Sequence, residues 1–449
     1  MQKQSVRRNK IGLLGPFSFG NLGNAALQEV LIQHLSKRFP DAEFYGCCID
    51  PAEPADVRHI LPFPFDRRVP WPQPPVASKT TPATNEDSRT RRKPIREWFK
   101  KTTMLLGLWD SMRLVWLRAG EIREELAFCV KARRFLVEFR LLVFGLGGLF
   151  DEVWGGKWGD LYSYFRWAVL ARLAGTPLVC LSVGVEEVNT RLGKFFCRTA
   201  LSLARYRSFR DVESKEKAEA IGVKRENWVF PDLAFGLEIK DSLILEADRM
   251  GRYAVGVSPM AYCDPRFWPI KDASAYQGYL TKLASFVSWL LRTSHEVVLF
   301  PTQVRMDLAA LEELKASVMR EVPSSLHKNL SEANVRNVGD CLTVLSRLSM
   351  TVTSRLHGVI LSHLVGTPVL VVSPASKIDR LMETMDLREY VLNIREFDLP
   401  LLVERFKRLE ANGEIVRRDI QRKVAGYRKE IDAQFELLFR TGGFLDLDQ

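Results

Sequence analysis

The stretch Met350–Ser373, MTVTSRLHGVILSHLVGTPVLVVS, decides how this chain folds. An apolar, β-branched run from Met350 to Thr353 passes through the polar turn Ser354-Arg355-Leu356-His357-Gly358 into a helical pattern from Val359 to Val365. Gly366-Thr367-Pro368 then ends the helix and releases the chain into a second apolar run, Val369 to Val372. Strand, turn, helix, strand is a βαβ unit, and in an open parallel sheet ligands settle at the carboxyl ends of the strands, where this turn stands. Arg355 and His357 therefore bring a fixed positive charge and a group that titrates near neutrality to a place suited to a ligand. The same pair also reads as a loop-capping arginine and a satisfied, half-buried histidine, so the choice rests on the remainder of the chain.

Working outward, the unit repeats. Tyr253 to Ser258 and His295 to Phe300 read as strands, separated by a helix from Tyr276 to Leu291 and followed by another from Leu308 to Val322. After the opening stretch, Lys377 to Met385 and the charged tail Leu401 to Phe439 are helical. The N-terminal part has the same grammar. Ile11 to Leu14, Phe44 to Ile49, Leu141 to Phe144, Leu178 to Val183 and Arg205 to Ser208 are strands. Ala25 to Phe39, Tyr162 to Ala174, Leu192 to Ala204 and a segment ending at Ile221-Gly222 are helices. Alternating strands and helices with short turns predict an α/β fold of two Rossmann-like domains, residues 1–245 and 246–449, facing across a cleft that holds the ligand. Two turns could approach a ligand closely: Gly20-Asn21-Leu22-Gly23-Asn24 ahead of the first helix, and Gly145-Leu146-Gly147-Gly148 ahead of Asp151. Neither has the spacing of a dinucleotide fingerprint or a P-loop.

Residues 51–140 change character and read as an insertion. Prolines cluster from Pro51 to Pro82, and Ala77 to Pro94 is polar enough to expect mobility. Ile95 to Arg140 is helical, basic and aromatic; with Trp98, Trp109 and Trp116 it could lie on an anionic membrane face, although an amphipathic helix packed on the sheet has the same periodicity and is the preferred reading. The formal net charge of +11 suits anionic partners. It is dispersed among residues with core periodicity, which argues against nucleic acid. Seven cysteines form no C-x-x-C pair, so neither a metal nor a disulfide framework is expected. No uncharged run is long enough to span a bilayer, and the N-terminus lacks a secretory core; the expectation is a cytoplasmic protein, with peripheral contact at the inner membrane face as an option.

Taken in order, these motifs resemble the polysaccharide pyruvyl transferase family: Gly20 to Asn24, Gly145 to Gly148, Leu178 to Gly184, Ser208-Phe209-Arg210-Asp211-Val212-Glu213-Ser214, Pro231 to Phe235, and Ser354 to Gly358 with Gly366-Thr367-Pro368 and Lys377. Asn24 stands where the family usually has an acid, Leu146 where a third glycine is common, and Ser373-Pro374-Ala375 where Tyr-Asp-Pro is frequent. The resemblance implies a glycosyltransferase B-like fold and transfer of a pyruvyl group from phosphoenolpyruvate to a sugar diol as a ketal, in exopolysaccharide or cell-surface glycan biosynthesis. Phosphoenolpyruvate enters as donor substrate, and no cofactor is implied.

On that resemblance His357 and Arg355 are the catalytic candidates. Arg210, Arg355, Leu356, Gly358 and Lys377 would bind the donor, and Asn21, Gly23, Asn24, Gly147, Gly148 and Asp151 would line a sugar or lipid-linked oligosaccharide acceptor. The donor carries a carboxylate and a phosphate, which calls for guanidinium forks; a general acid and base near neutrality calls for an imidazole. Two other readings use the same residues: a glycosyltransferase taking a nucleotide sugar, and a non-catalytic scaffold at the membrane surface of a polysaccharide assembly complex.

Overall fold

The computed structural model describes residues 9–17, 20–48, 60–65, 67, 103–153, 156–224, 226–240, 243 and 254–440, with the backbone course alone at 16, 17, 48, 62, 103–119 and 157. The first half contains β1 (Lys10–Phe17), α1 (Leu22–Arg38), β2 (Glu43–Cys48), β3 (Ile60–Pro64), α2 (Thr103–Leu136), β4 (Phe139–Phe144) and β5 (Gly148–Phe150). It continues through α3 (Asp160–Ala174), β6 (Leu178–Val185), α4 (Arg191–Leu203), β7 (Tyr206–Phe209), α5 (Val212–Ala220) and β8 (Trp228–Val229). Its sheet runs β3-β2-β1-β4-β6-β7-β8, with β5 beside β6. The second half contains β9 (Ala254–Ser258), α6 (Ala273–Arg292), β10 (Glu296–Leu299), α7 (Met306–Glu321), β11 (Leu330–Glu332) and α8 (Val338–Ser346). After these come β12 (Leu348–Thr353), α9 (Leu356–Leu364), β13 (Val369–Ser373), α10 (Ser376–Thr384), β14 (Val391–Asn393) and α11 (Leu399–Phe439), and the strands run β11-β10-β9-β12-β13-β14.

The strand pairings within both sheets are parallel. Helices on the faces leave the strands buried on both sides, so they are continuously apolar: β6 is buried throughout its length. Helices begin and end where the side chains dictate. Asn21, Thr190, Asp211, Asp272 and Asn337 each accept a backbone N–H as N-caps, and α3 stops at Gly175, whose φ of 70° is the left-handed geometry that glycine adopts freely.

The segment 51–140 is only partly the insertion expected. Ile60–Pro64 is an edge strand paired with β2, and α2 buries Phe128, Ala132 and Leu136 on the way to β4, so this part of the segment is an ordinary crossover. Two prolines hid the strand, because proline is tolerated in a sheet at an edge. The expected mobile stretch Ala77–Pro94 and the Trp98, Trp109 and Trp116 side chains fall outside the description. The tail is a single helix, α11, which starts on the second half and ends on the first. Phe435 stacks on His34 of α1 with centroids 4.1 Å apart, and Arg428 donates to the Leu237 carbonyl. Among the described residues no helix is long and apolar enough to cross a membrane.

Candidate active site

Both halves contribute backbone to one seam. The turn after β1 places Gly20 at φ 62°, and its carbonyl accepts from the Val304 N–H at 2.8 Å while the Leu22 N–H donates to the Thr302 carbonyl at 3.3 Å. Asn21 and Gln303 form an antiparallel bridge between these loops. The Asn21 side chain caps α1 by accepting from the Gly23 N–H at 3.0 Å, and Asn24 is buried. Of the three residues expected to meet the acceptor here, Asn21 thus serves as cap and bridge, Asn24 packs inside, and Gly23 has a different neighbour.

That neighbour is His357. A Cβ built on Gly23 would overlap the imidazole, so only glycine lets α1 and the first turn of α9 approach this closely. The His357 Nε2 is buried and has no hydrogen-bond partner. Burial lowers the pKa of the ring; Asp232 opposes this, while Arg210, Lys377 and Arg355 push the same way as burial. His357 is therefore a neutral imidazole at neutral pH, surrounded by three cations and one carboxylate.

Arg210 follows β7 and lies flat on the backbone of Gly184, where an added Cβ would come within 2.6 Å of its Cζ; a Cβ added at Gly148 would stand 3.4 Å from its Nη2. Its Nη2 donates to Glu186 at 2.7 Å, and its Nη1 is 4.0 Å from Asp232. Asp232 uses one oxygen to cap the turn at Leu233–Gly236, accepting from the Ala234 N–H, and its buried Oδ2 has no hydrogen-bond partner. Lys377, on the first turn of α10, is the loosest of the cations: a third of its side chain is exposed and its Nζ is 3.7 Å from Glu186. Burial and Arg210 lower its pKa, against Glu186 and Asp151. Burial pushes the Glu186 carboxyl up, but Lys377, Arg210, Arg380 and Lys217 together outweigh it and hold it below the usual range.

The expected role of Arg355 meets a different arrangement. Its fork is occupied by the fully buried Asp307, with Nε to Oδ2 at 3.0 Å and Nη2 to Oδ1 at 2.6 Å, and its Cζ stands 5.8 Å from the centre of the Trp268 ring. The edge meant for a flat anion therefore ties α9 to α7. Gly358 packs on Thr353, where a Cβ would come within 2.6 Å of the hydroxyl. What α9 does offer is its amino end, since Arg355 at the N-cap gives no side-chain acceptor and the first N–H groups of a helix have none within it; α10, with Ala375 as N-cap, is the same. Leu356, Arg210, Asp232, Lys377 and Arg380 share a cavity of ≈ 390 Å³, walled further on by Phe230, Phe235, Leu381 and Tyr427. Gly147, at φ 84°, accepts from the Gly184 N–H at 3.1 Å, and Asp151, whose charge acts on Lys377, accepts from the Val153 N–H. Sequence reasoning passed over Glu186, Asp232 and Asp307. Asp232 stood in a quoted motif, whereas nothing local marks Glu186 or Asp307, whose partners lie 24 and 48 positions away.

Two open parallel sheets, joined by a crossing C-terminal helix and meeting at loops from both, define a class by architecture alone, the glycosyltransferase B-like fold. Solved structures of that class share the fold. HepE of Anabaena, solved with UDP, is 12% identical with a TM-score of 0.51, covering 95% of this chain and 99% of its own. MnaA of S. aureus, also solved with UDP, is 10% identical with a TM-score of 0.52, covering 92% and 91%. The UDP-GlcNAc 2-epimerase of Methanocaldococcus jannaschii is 8% identical with a TM-score of 0.51, covering 89% and 92%. Within this class the chain belongs to the polysaccharide pyruvyl transferase family, whose model matches residues 21–376. No curated protein matches the sequence significantly.

Proposed function

We infer that the protein transfers a pyruvyl group from phosphoenolpyruvate to two hydroxyls of a saccharide, releasing phosphate and leaving a ketal. The observation that carries this reading is His357: a neutral imidazole whose buried Nε2 has no hydrogen-bond partner, set at the seam between the halves and in the field of Arg210, Lys377 and Arg355. The donor anions would find Lys377, Arg210 and the uncapped amino ends of α9 and α10, where helix dipoles favour negative charge.

In chemical order, His357 accepts the proton of one hydroxyl and delivers it to the methylene carbon of the donor. The double-bond electrons form the new C–H bond while the hydroxyl oxygen bonds the adjacent carbon. The C–O bond to phosphate then breaks with its electron pair on phosphate. The second hydroxyl closes the ring, and its proton leaves by way of the imidazole. Lys377 offsets the charge on the departing phosphate, and Arg355, held by Asp307, fixes the turn that carries His357.

A nucleotide-sugar glycosyltransferase is the second reading, favoured by the apolar far wall of the cavity. Thermal unfolding separates the two: phosphoenolpyruvate is expected to raise Tm, with nucleotide sugars leaving it unchanged. Stabilisation by a nucleotide sugar alone would overturn pyruvyl transfer. Labelled phosphoenolpyruvate with candidate saccharides, followed by mass analysis, then identifies the ketal product and the acceptor.

A further inference from the structure

β6 is interrupted where it nears the site. Opposite β7 its register passes from Cys180↔Arg207 to Val183↔Phe209, so one extra residue is held in β6. Ser182 lies in this bulge at φ 46°, a left-handed geometry that is uncommon for a residue with a side chain. The displaced Ser182 N–H donates to the Ser208 hydroxyl at 2.7 Å. Gln434, fully buried on α11, completes the arrangement: its Nε2 donates to the same Ser208 oxygen at 2.7 Å, and its Oε1 accepts from the Ser182 hydroxyl at 3.1 Å. Immediately past the bulge come Gly184, on which Arg210 lies, and Glu186, which receives its Nη2. Residues 377–449, with Gln434 among them, lie beyond the part of the chain that the family model matches.

We propose that Gln434 is a positioning residue for the donor site, holding the β6 bulge in the geometry that sets Arg210 between Gly184 and Glu186. Without the amide, two buried hydroxyls and a left-handed serine lose their support, and β6 relaxes toward regular pairing. A one-residue shift there turns each later side chain to the opposite face of the sheet. The bed beneath Arg210 would be lost although no residue of the cleft had changed.

This inference rests on the donor reading above, and the experiment has two separate arms. Gln434→Met keeps side-chain length but removes both hydrogen bonds. Hydrogen exchange in peptides spanning 178–186 should accelerate selectively, with exchange in the second sheet unchanged. Phosphoenolpyruvate affinity, followed by thermal shift, should fall roughly tenfold. Adding Ser182→Gly, which adopts the left-handed geometry without strain, should recover most of that affinity, which a merely destabilising substitution would not permit. Unchanged exchange over 178–186, or unchanged affinity in Gln434→Met, overturns the proposal. If the wild-type protein itself fails to bind phosphoenolpyruvate, the donor reading falls, and exchange over 178–186 alone decides whether Gln434 holds the bulge.

Discussion

At the scale of single residues, the site depends on a contact between a side chain and the absence of one. His357 reaches the seam because Gly23 has no Cβ, so Gly23→Ala should displace the imidazole and mimic its removal. Both Gly23→Ala and His357→Gln are expected to lower turnover by about 10²–10⁴-fold, the range for losing a general acid–base group, with melting temperatures close to wild type for His357→Gln. Arg355 behaves differently from the expectation raised by its sequence. Because Asp307 is fully buried, Arg355→Ala leaves a carboxylate whose remaining partner is the Ala261 N–H, and should cost about 3 kcal/mol of folding stability, read by denaturant titration. An Arg355→Ala variant of unchanged stability would return the guanidinium to the donor. The sequence made the Arg-x-His pair visible but not its division of labour. That division is set by Asp307, a residue whose own neighbourhood in the chain reads as an unremarkable helix start.

Among the elements, strands and helices were legible from periodicity because parallel strands covered on both faces must be apolar, and their boundaries agree to within a few residues. The misses share a cause. β3 carries two prolines, and β5, β11 and β14 are three residues long, too short for a pattern. α9 holds a second histidine, His363, whose two ring nitrogens are buried without partners and whose pKa is pushed down to about 3 by burial. Its unfolded value is near 6.5, so the unfolded chain takes up a proton that the folded chain refuses between those limits. Stability from this residue is complete above pH ~6.5 and is lost as pH falls toward about 3. His363→Leu removes both the unpartnered nitrogens and the titration. Its Tm should therefore fall less than that of the wild type between pH 7 and roughly pH 4, a comparison that calorimetry at matched ionic strength can make. Parallel acid profiles for the two proteins would contradict the assignment.

For the molecule as a whole, the two halves were legible as separate sheets, but how they are held together was not. The tail reads as a charged amphipathic helix, and nothing in its sequence says that its last turns belong to the opposite domain. Phe435 makes that connection: it is 5% exposed and stacks on His34, while Phe439 meets Phe39 edge-on at 5.5 Å. Burial lowers the pKa of His34, with Asp432 opposing it, so at neutral pH this is a stack of two uncharged rings. Phe435→Ala should cost about 3–5 kcal/mol, as truncation of a buried aromatic does. The location of the loss matters more than its size, because the seam at Gly20 to Leu22 and the Gln434 hydrogen bonds would have to keep the halves together without the stack. In calorimetry the single transition expected for the wild type should broaden or split in Phe435→Ala, with the second sheet retaining its melting temperature. A uniform downward shift of one sharp transition would mean instead that the halves unfold as one unit without the stack, coupled by the remaining contacts such as the backbone seam and the Lys377–Glu186 pair.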